Sequence, residues 1–299
     1  MDKFKVIFVM ILWGSVGVFT RFIFIEPSLL ALCRAILSIP VLLVITILSE
    51  DLLNKKLIIK DVCPFIISGA FIGFAWLFLF LAFKHTSVAT ATLTYNMCPV
   101  YVLLLSPLLL KERLERIHII NVVLAFLGLI MIVLSDYRTI DTGVLGIAFG
   151  TMSGTLYAII VIMNRKISTT LKVGTTTLIQ MISASVVLLP VVIYNKLFVQ
   201  LYSMNKISVT MLLILGFVHT GIGFMLYFSS YAKLSAISIA LISYLEPVFA
   251  VFFAIIFIGE ELSYIQVIGS TLILGSTFYT EIYKNWIGRT KLDGKVKVQ

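Results

Sequence analysis

Ten stretches of 18–24 mostly apolar residues, separated by short gaps, decide what this chain can fold into. They run over about 6–24, 29–49, 63–83, 87–110, 117–134, 144–164, 174–194, 208–231, 235–258 and 264–282. At a rise of 1.5 Å per residue, about 20 residues cross a hydrocarbon core of roughly 30 Å. Backbone polar groups must pair inside such a segment, which requires helices or a closed barrel. The runs are too long and too evenly apolar for barrel strands, whose residues alternate. Composition agrees: 60% of residues are hydrophobic, only 12% are charged, and the mean hydropathy is +1.10. A soluble domain carries roughly twice that charge. No gap is long enough for a soluble catalytic domain, so any chemistry belongs inside the membrane or at its edges.

Lys3 and Lys5 precede the first run, but no small-residue cleavage site follows it; Thr20, Arg21 and Phe22 stand there, and the first helix is expected to be retained. Cys33, Cys63 and Cys98 lie in or beside spans with no metal-like spacing and read as small packing residues. No cofactor is expected.

The net charge of +9 reads as topology, with anionic lipid as the partner of the basic surface rather than nucleic acid. With the N-terminus inside, 17 Lys and Arg fall on the inner side and four on the outer: Lys84, Arg138, Lys196 and Lys206. Arg21 and Arg34 lie within spans. The positive-inside rule then puts both termini in the cytoplasm of a multi-pass protein of the cytoplasmic membrane.

The chain also repeats itself at an offset of 148 residues, with 82–128 lying over 230–276 without a gap. Ser87 matches Ser235, Pro99-Val100 matches Pro247-Val248, and Glu112-x-Leu114 matches Glu260-x-Leu262. At an offset of 144, Trp13 lies over Tyr157 and Arg21 over Arg165. Five helices per unit is an odd number, so the second unit starts from the opposite side of the membrane. The predicted fold is therefore an all-α membrane protein of ten transmembrane helices in two inverted five-helix repeats: residues 1–137, 138–285 and a basic cytoplasmic tail, 286–299. Such repeats give two near-equivalent packings, one open to each side, which is the basis of alternating access. Rocking of the two halves about a midplane site is the expected motion, in a monomer or homodimer.

Several residues inside the spans carry candidate chemistry. Pro99 and Pro247 sit at equivalent mid-helix positions, where each frees the carbonyl four residues back, on Tyr95 and Ser243. They are candidate hinges, with packing kinks as the alternative. Glu246 is the one acidic residue near the bilayer centre, and its repeat mate is Cys98, so the shared architecture does not demand a carboxyl there. An intramembrane carboxyl is a functional hypothesis by default: it exchanges a proton or attracts a cationic solute. Tyr95, Asn96 and Tyr244 are expected wall residues, with Trp13 nearby; Trp76, Tyr157 and Tyr227 are further aromatic candidates for a cavity holding an amphipathic or cationic solute. Arg34 is expected to extend towards the outer interface, with a cavity position beside an anion or Glu246 as the alternative. Glu112 and Glu260 each stand just before the next helix, where the helix dipole favours negative charge. That symmetry reads as turn structure. Gly69-x-x-x-Gly73 and Gly150-x-x-x-Gly154 mark close helix contacts.

Taken together, these residues resemble the EamA family of the drug/metabolite transporter superfamily over essentially the whole chain. The matching elements are Trp13-Gly14-Ser15, Arg34, the paired segments 99–114 and 245–262, Gly259-Glu260, Gly128, Gly269 and Gly275. The resemblance implies a central cavity bounded mainly by helices 1, 3, 4, 6, 8 and 9, and a secondary carrier, often an exporter of amino acids or related metabolites. Protons are the coupling ion to consider. Two departures stand out. Lys111 replaces a glycine usual before the first Glu, which alters a turn. Helix 1 has no acidic residue, so a helix 1 carboxylate mechanism does not carry over.

Other classes fit less well. A membrane-embedded transferase lacks its motif: no His-x-x-x-x-Asp follows His85, His118 or His219, and no paired carboxylates lie within the spans. No phosphate-binding glycine loop supports ATP-driven transport. A lipid flippase or accessory subunit would share this topology.

Overall fold

The structure is a computed structural model that describes residues 2–48, 59–86, 88–133, 143–167, 171–259, 263–276 and 279. Ser87, Arg138, Glu260, the 137/138 boundary and the tail 286–299 lie outside the described residues.

Among the described residues there are helices and no strands. Eight are long and apolar enough to cross a membrane: α1 (Asp2–Thr20), α2 (Pro27–Leu48), α3 (Asp61–His85), α4 (Thr90–Leu109), α6 (Val144–Lys166), α7 (Val173–Tyr194), α8 (Lys206–Ala232) and α9 (Ala236–Phe257). Two shorter apolar helices occupy the remaining predicted segments, α5 (Arg116–Ile132) and α10 (Tyr264–Ser276). The outer surface is apolar: Leu48, Leu104, Val186, Ile193 and Phe257 are all more than half exposed. Patches of that kind and extent suit hydrocarbon rather than water, and the chain is a multi-pass membrane protein.

The two proline-bearing runs are not continuous kinked helices. α4 ends one helix at Tyr95, turns through Asn96 and Met97, and restarts at Cys98 with Pro99 in its first turn. α9 ends one helix at Ser243, turns at Tyr244, and restarts at Leu245 with Pro247 third in line. The reason is local. Proline is tolerated in the first turn, where its missing N–H would have no partner anyway, so breaking the helix just before it removes the steric conflict. α1 also breaks, at Ser15, between Asp2–Gly14 and Val16–Thr20.

The halves of the sequence do not form separate bodies. α3, from the first half, packs along α6 and α7 from the second, and α2 packs on α7 and α8. A Cβ at Gly69 would overlap the Gln180 backbone, and one at Gly73 would stand 2.9 Å from both the Ala184 carbonyl and Val187 Cβ. Polar groups reinforce this contact: Ser68 Oγ accepts from Asn164 Nδ2 (3.1 Å) and Gln180 Nε2 (2.9 Å). Gln180 Nε2 also reaches Asn164 Oδ1 at 2.8 Å, and Ser183 Oγ donates to the Ile66 carbonyl at 2.7 Å. α1 is wedged against α8 and α9, and α6 against α3 and α4. Gly150 and Gly154 meet Thr94 and Tyr95 of α4, so the second small-residue pair also marks a close crossing.

Glu112 lies in the turn between α4 and α5, but its partner is not α5. Its carboxylate accepts from the backbone N–H of Ala236 (2.9 Å) and Ile237 (3.3 Å), at the start of α9, and stands 3.7 Å from Arg165 Nε. The expected helix-terminus role is therefore played across the molecule. The free N–H groups and positive dipole end of α9 hold the carboxylate, with the Arg165 guanidinium as its cationic neighbour. On the same side, Asp2 pairs with Lys5 at 3.1 Å and with Lys233 at 3.5 Å, joining α1 to the end of α8.

Candidate functional site

Where α1, α2, α3, α4, α6, α8 and α9 converge they leave a cavity of about 500 Å³. Its inner wall is Trp13, Tyr95, Tyr157 and Glu246; Arg34, Trp76 and Phe224 line its flank; and Thr20, Pro27 and Phe83 line the end beside the α1–α2 connection. A narrow crevice of about 50 Å³ continues past Trp13, Tyr95, Tyr157 and Glu246 to Asn96, Cys98, Pro99 and Ser243. The two helix breaks open onto this crevice, because turning the chain at Asn96 and Tyr244 brings the restarted helices, with Cys98 and Glu246, to the cavity floor.

The aromatic walls are fixed by contacts among themselves. Trp13 packs against Phe224 and Tyr227, each with ring centroids 4.9 Å away, and its Nε1 donates to the His219 carbonyl at 3.0 Å. Tyr95 and Tyr157 meet edge to face at 5.1 Å, and Trp76 Nε1 donates to the Tyr157 hydroxyl. Edge-to-face packing of this kind adds about 0.5–1.5 kcal/mol per pair beyond buried area, so these walls are preorganised rather than collapsible.

Arg34 turns into the helix bundle and lines the cavity. Its Nε donates to Thr220 Oγ1 at 3.1 Å, and its guanidinium stands 5.8 Å from the Trp76 ring centre. The expected extension to water loses to an internal hydrogen bond and a π face, which together compensate the cation for leaving solvent. Glu246 lines the same cavity, and among the described residues it has no hydrogen-bond or ion-pair partner. No ion pair within 4 Å joins it to Arg34.

Asn96 Nδ2 donates to the Thr92 carbonyl at 2.8 Å while the residue lines the crevice. Tyr244 lines neither the cavity nor the crevice: it is 1% exposed, packed in the hydrophobic core. Pro99 is at the crevice and Pro247 is not among its lining residues. Trp76, Tyr157 and Tyr227 all line one space or the other.

Thr220 is absent from the sequence-based candidates. Its position depends on a π-helical stretch, Leu215–Ile222, inside α8. The crowding of Gly216, Gly221 and Gly223 in the middle of a long apolar run was the available signal.

Comparison with known proteins follows the same architecture. The EamA-like transporter family matches residues 4–134 and again 144–281. The Bacillus subtilis (strain 168) protein "Uncharacterized transporter YxxF" is 27% identical over 292 residues, spanning 97% of this chain and 92% of its own. "Uncharacterized transporter YyaM" of the same organism is 24% identical over 267 residues, spanning 84% of this chain and 83% of its own. One crystal structure superposes with a TM-score of 0.79 at 16% identity, over 92% of this chain and 95% of its own, a likeness of fold alone.

Proposed function

The chain belongs to the EamA-like transporter family, and we propose that it is a secondary carrier of small, amino-acid-like or related organic solutes, working by alternating access and in the direction of export. One observation carries this reading: Arg34 and Glu246 line a single aromatic-walled cavity without pairing with each other. A volume of about 500 Å³ suits a metabolite-sized ligand. Two opposite charges left unpaired at membrane depth are costly unless a solute or proton meets them. Glu246 is the coupling or cation-binding carboxyl; Trp13, Tyr95 and Asn96 form the wall.

In this reading the chain makes ten crossings as two inverted repeats, with both termini in the cytoplasm. The basic residues around Glu112, namely Lys111, Arg113 and Arg165, then mark the cytoplasmic side, which the Glu112 contact with α9 closes. The cavity reaches towards the α1–α2 connection on the outer side, so the conformation is outward-facing. The interlocking of α3 with α6 and α7 argues against rocking of the two sequence halves as rigid bodies.

A lipid flippase is the second reading. A groove of about 370 Å³ lined by Gly14, Gly17, Ala250 and Ala254 runs between α1 and α9 and shares Gly17 and Thr20 with the central cavity.

The test is uptake and efflux in proteoliposomes loaded with a pooled metabolite extract, under an imposed pH gradient, read by mass spectrometry. A solute that moves only with protein and faster with the gradient supports a proton-coupled carrier, and Glu246→Gln then removes the gradient's effect. Transport and pH dependence both unchanged in Glu246→Gln would retire the carboxyl's role. Movement of a headgroup-labelled lipid with no solute would favour the flippase.

A further inference from the structure

The π-helical stretch Leu215–Ile222 interrupts α8 where it crosses α2. The crossing is close. A Cβ at Gly216 would overlap Leu37, and one at Gly221 would stand 3.5 Å from Ser38. This seats Thr220 opposite Arg34, one helical turn back along α2. Such π stretches inside α-helices recur at functional sites because they re-aim side chains.

The hydroxyl of Thr220 has one proton, and it is used: Oγ1 donates to the Leu215 carbonyl, five residues back, at 2.9 Å. That carbonyl lies within reach because the helix is wound to the i−5 register here. With its proton committed, Oγ1 offers only lone pairs to Arg34, and Nε–H donates to it at 3.1 Å. The guanidinium is thus held at its inner edge by Thr220 and rests against the Trp76 face. Among the described residues its two Nη groups have no hydrogen-bond or ion-pair partner, and Arg34 lines the cavity. A guanidinium presents its donors as a fixed planar fork matched to two oxygens of one anion. Pinning Nε leaves the Nη1/Nη2 end as the free fork.

We infer that Thr220 is a positioning residue that holds Arg34 as an end-on fork for a carboxylate of the transported solute, whose apolar part lies on the Trp13, Trp76 and Phe224 walls. This rests on the solute-carrier reading above and names the chemical group that the cavity selects. Glu246, in the same cavity, faces the other end of such a solute and favours one that also carries a cationic or hydrogen-donating group.

The test is equilibrium binding, by calorimetry, to the full-length protein in lipid nanodiscs. The probes are phenylacetate and its uncharged counterpart phenylacetamide, which differ only at the group that Arg34 would meet. Wild type is expected to bind phenylacetate about tenfold tighter than the amide, the size of one charge-assisted hydrogen bond. Thr220→Val keeps the shape, removes the acceptor and is expected to erase that ratio while leaving phenylacetamide binding unchanged. Thr220→Ser keeps the hydroxyl and should retain the ratio, and Arg34→Lys, a charge without the fork, should lose most of it. Equal affinities in wild type, no binding of phenylacetate, or an equal loss for both probes in Thr220→Val would each overturn the inference. The measurement needs no transport. Discrimination without solute movement in proteoliposomes would retire the carrier reading and keep the fork. Solute movement without discrimination would do the reverse.

Discussion

Lys111 and Gly259, 148 residues apart in the repeat, share a left-handed backbone, with φ of 56° and 74°. Each follows the last turn of a broken helix, and each precedes a Glu in the sequence. Glycine adopts this conformation freely, whereas an L side chain is strained in it by about 1–2 kcal/mol. Lys111→Gly is expected to relieve that strain, with about 0.5–1 kcal/mol returned through the freer unfolded chain. The net expectation is a small rise in the thermal midpoint of the detergent-purified protein. Lys111→Val places a β-branched residue there and should lower the midpoint. A fall with Gly would mean that the Lys side chain contributes more than its backbone costs.

The left-handed turn at Lys111 precedes Glu112, whose carboxylate rests on the start of α9. Glu112→Ala removes both acceptors of the Ala236 and Ile237 N–H groups and the partner of Arg165. Losing a capping side chain of this type costs about 0.5–2 kcal/mol, enough to shift a balance between two states several-fold. Cys98 lines the inner crevice and reports on it. With Cys33 and Cys63 replaced by Ser, maleimide labelling of Cys98 from the Glu112 side should quicken several-fold in Glu112→Ala and only slightly in Glu112→Gln. Unchanged labelling in both would mean that the contact does not close the crevice.

Sterics and hydrogen bonding make unequal contributions where α3 crosses α7. Gln180→Leu removes two hydrogen bonds. Interhelical hydrogen bonds in membranes average about 0.6 kcal/mol each, so a loss of about 1 kcal/mol is expected. Gly69→Val drives a branched side chain into the Gln180 backbone, and overpacking against backbone costs about 1–3 kcal/mol or more. Thermal unfolding in detergent should rank Gly69→Val as the more damaging of the two; the reverse order would make the polar cluster the main clasp.

The helix breaks set a further expectation. Pro99 and Pro247 lie in the first turns of restarted helices, where proline fits without strain. Pro99→Ala and Pro247→Ala should each change stability by no more than about 1 kcal/mol. They also permit a continuous helix that would close the turns at Asn96 and Tyr244. Proteoliposome transport should therefore fall several-fold in folded protein. Full activity in both variants would remove the prolines from the mechanism.

Much of this molecule could be read from the chain because the membrane acts on residues locally. Whether a segment of about 20 residues is apolar depends on that segment alone, and the eight long helices fall within a few residues of the predicted runs. Pro99 and Pro247 marked the places where α4 and α9 are irregular, but as mid-helix hinges or kinks; the structure puts each in the first turn of a restarted helix instead. Trp13, Arg34, Tyr95, Asn96 and Glu246 were nameable as polar or aromatic residues at membrane depth. All five line the central cavity or its crevice.

Which partner each group met was a different matter. Arg34 has the stem length to reach water, and nothing near it in sequence says otherwise; Thr220, 186 residues away, holds it inside. Glu112 precedes one helix and docks on another, 124 residues on. Tyr244 shares its neighbourhood with Glu246, yet the turn at residue 244 sends its ring into the core and the carboxyl to the cavity. Spacing along the chain thus determined the apolar spans and the internal sequence repeat. Only the tertiary structure decided the partners of the charged groups. A charge inside a bilayer settles against whichever distant dipole, ring or hydroxyl best replaces water, and helix packing alone brings those groups within reach.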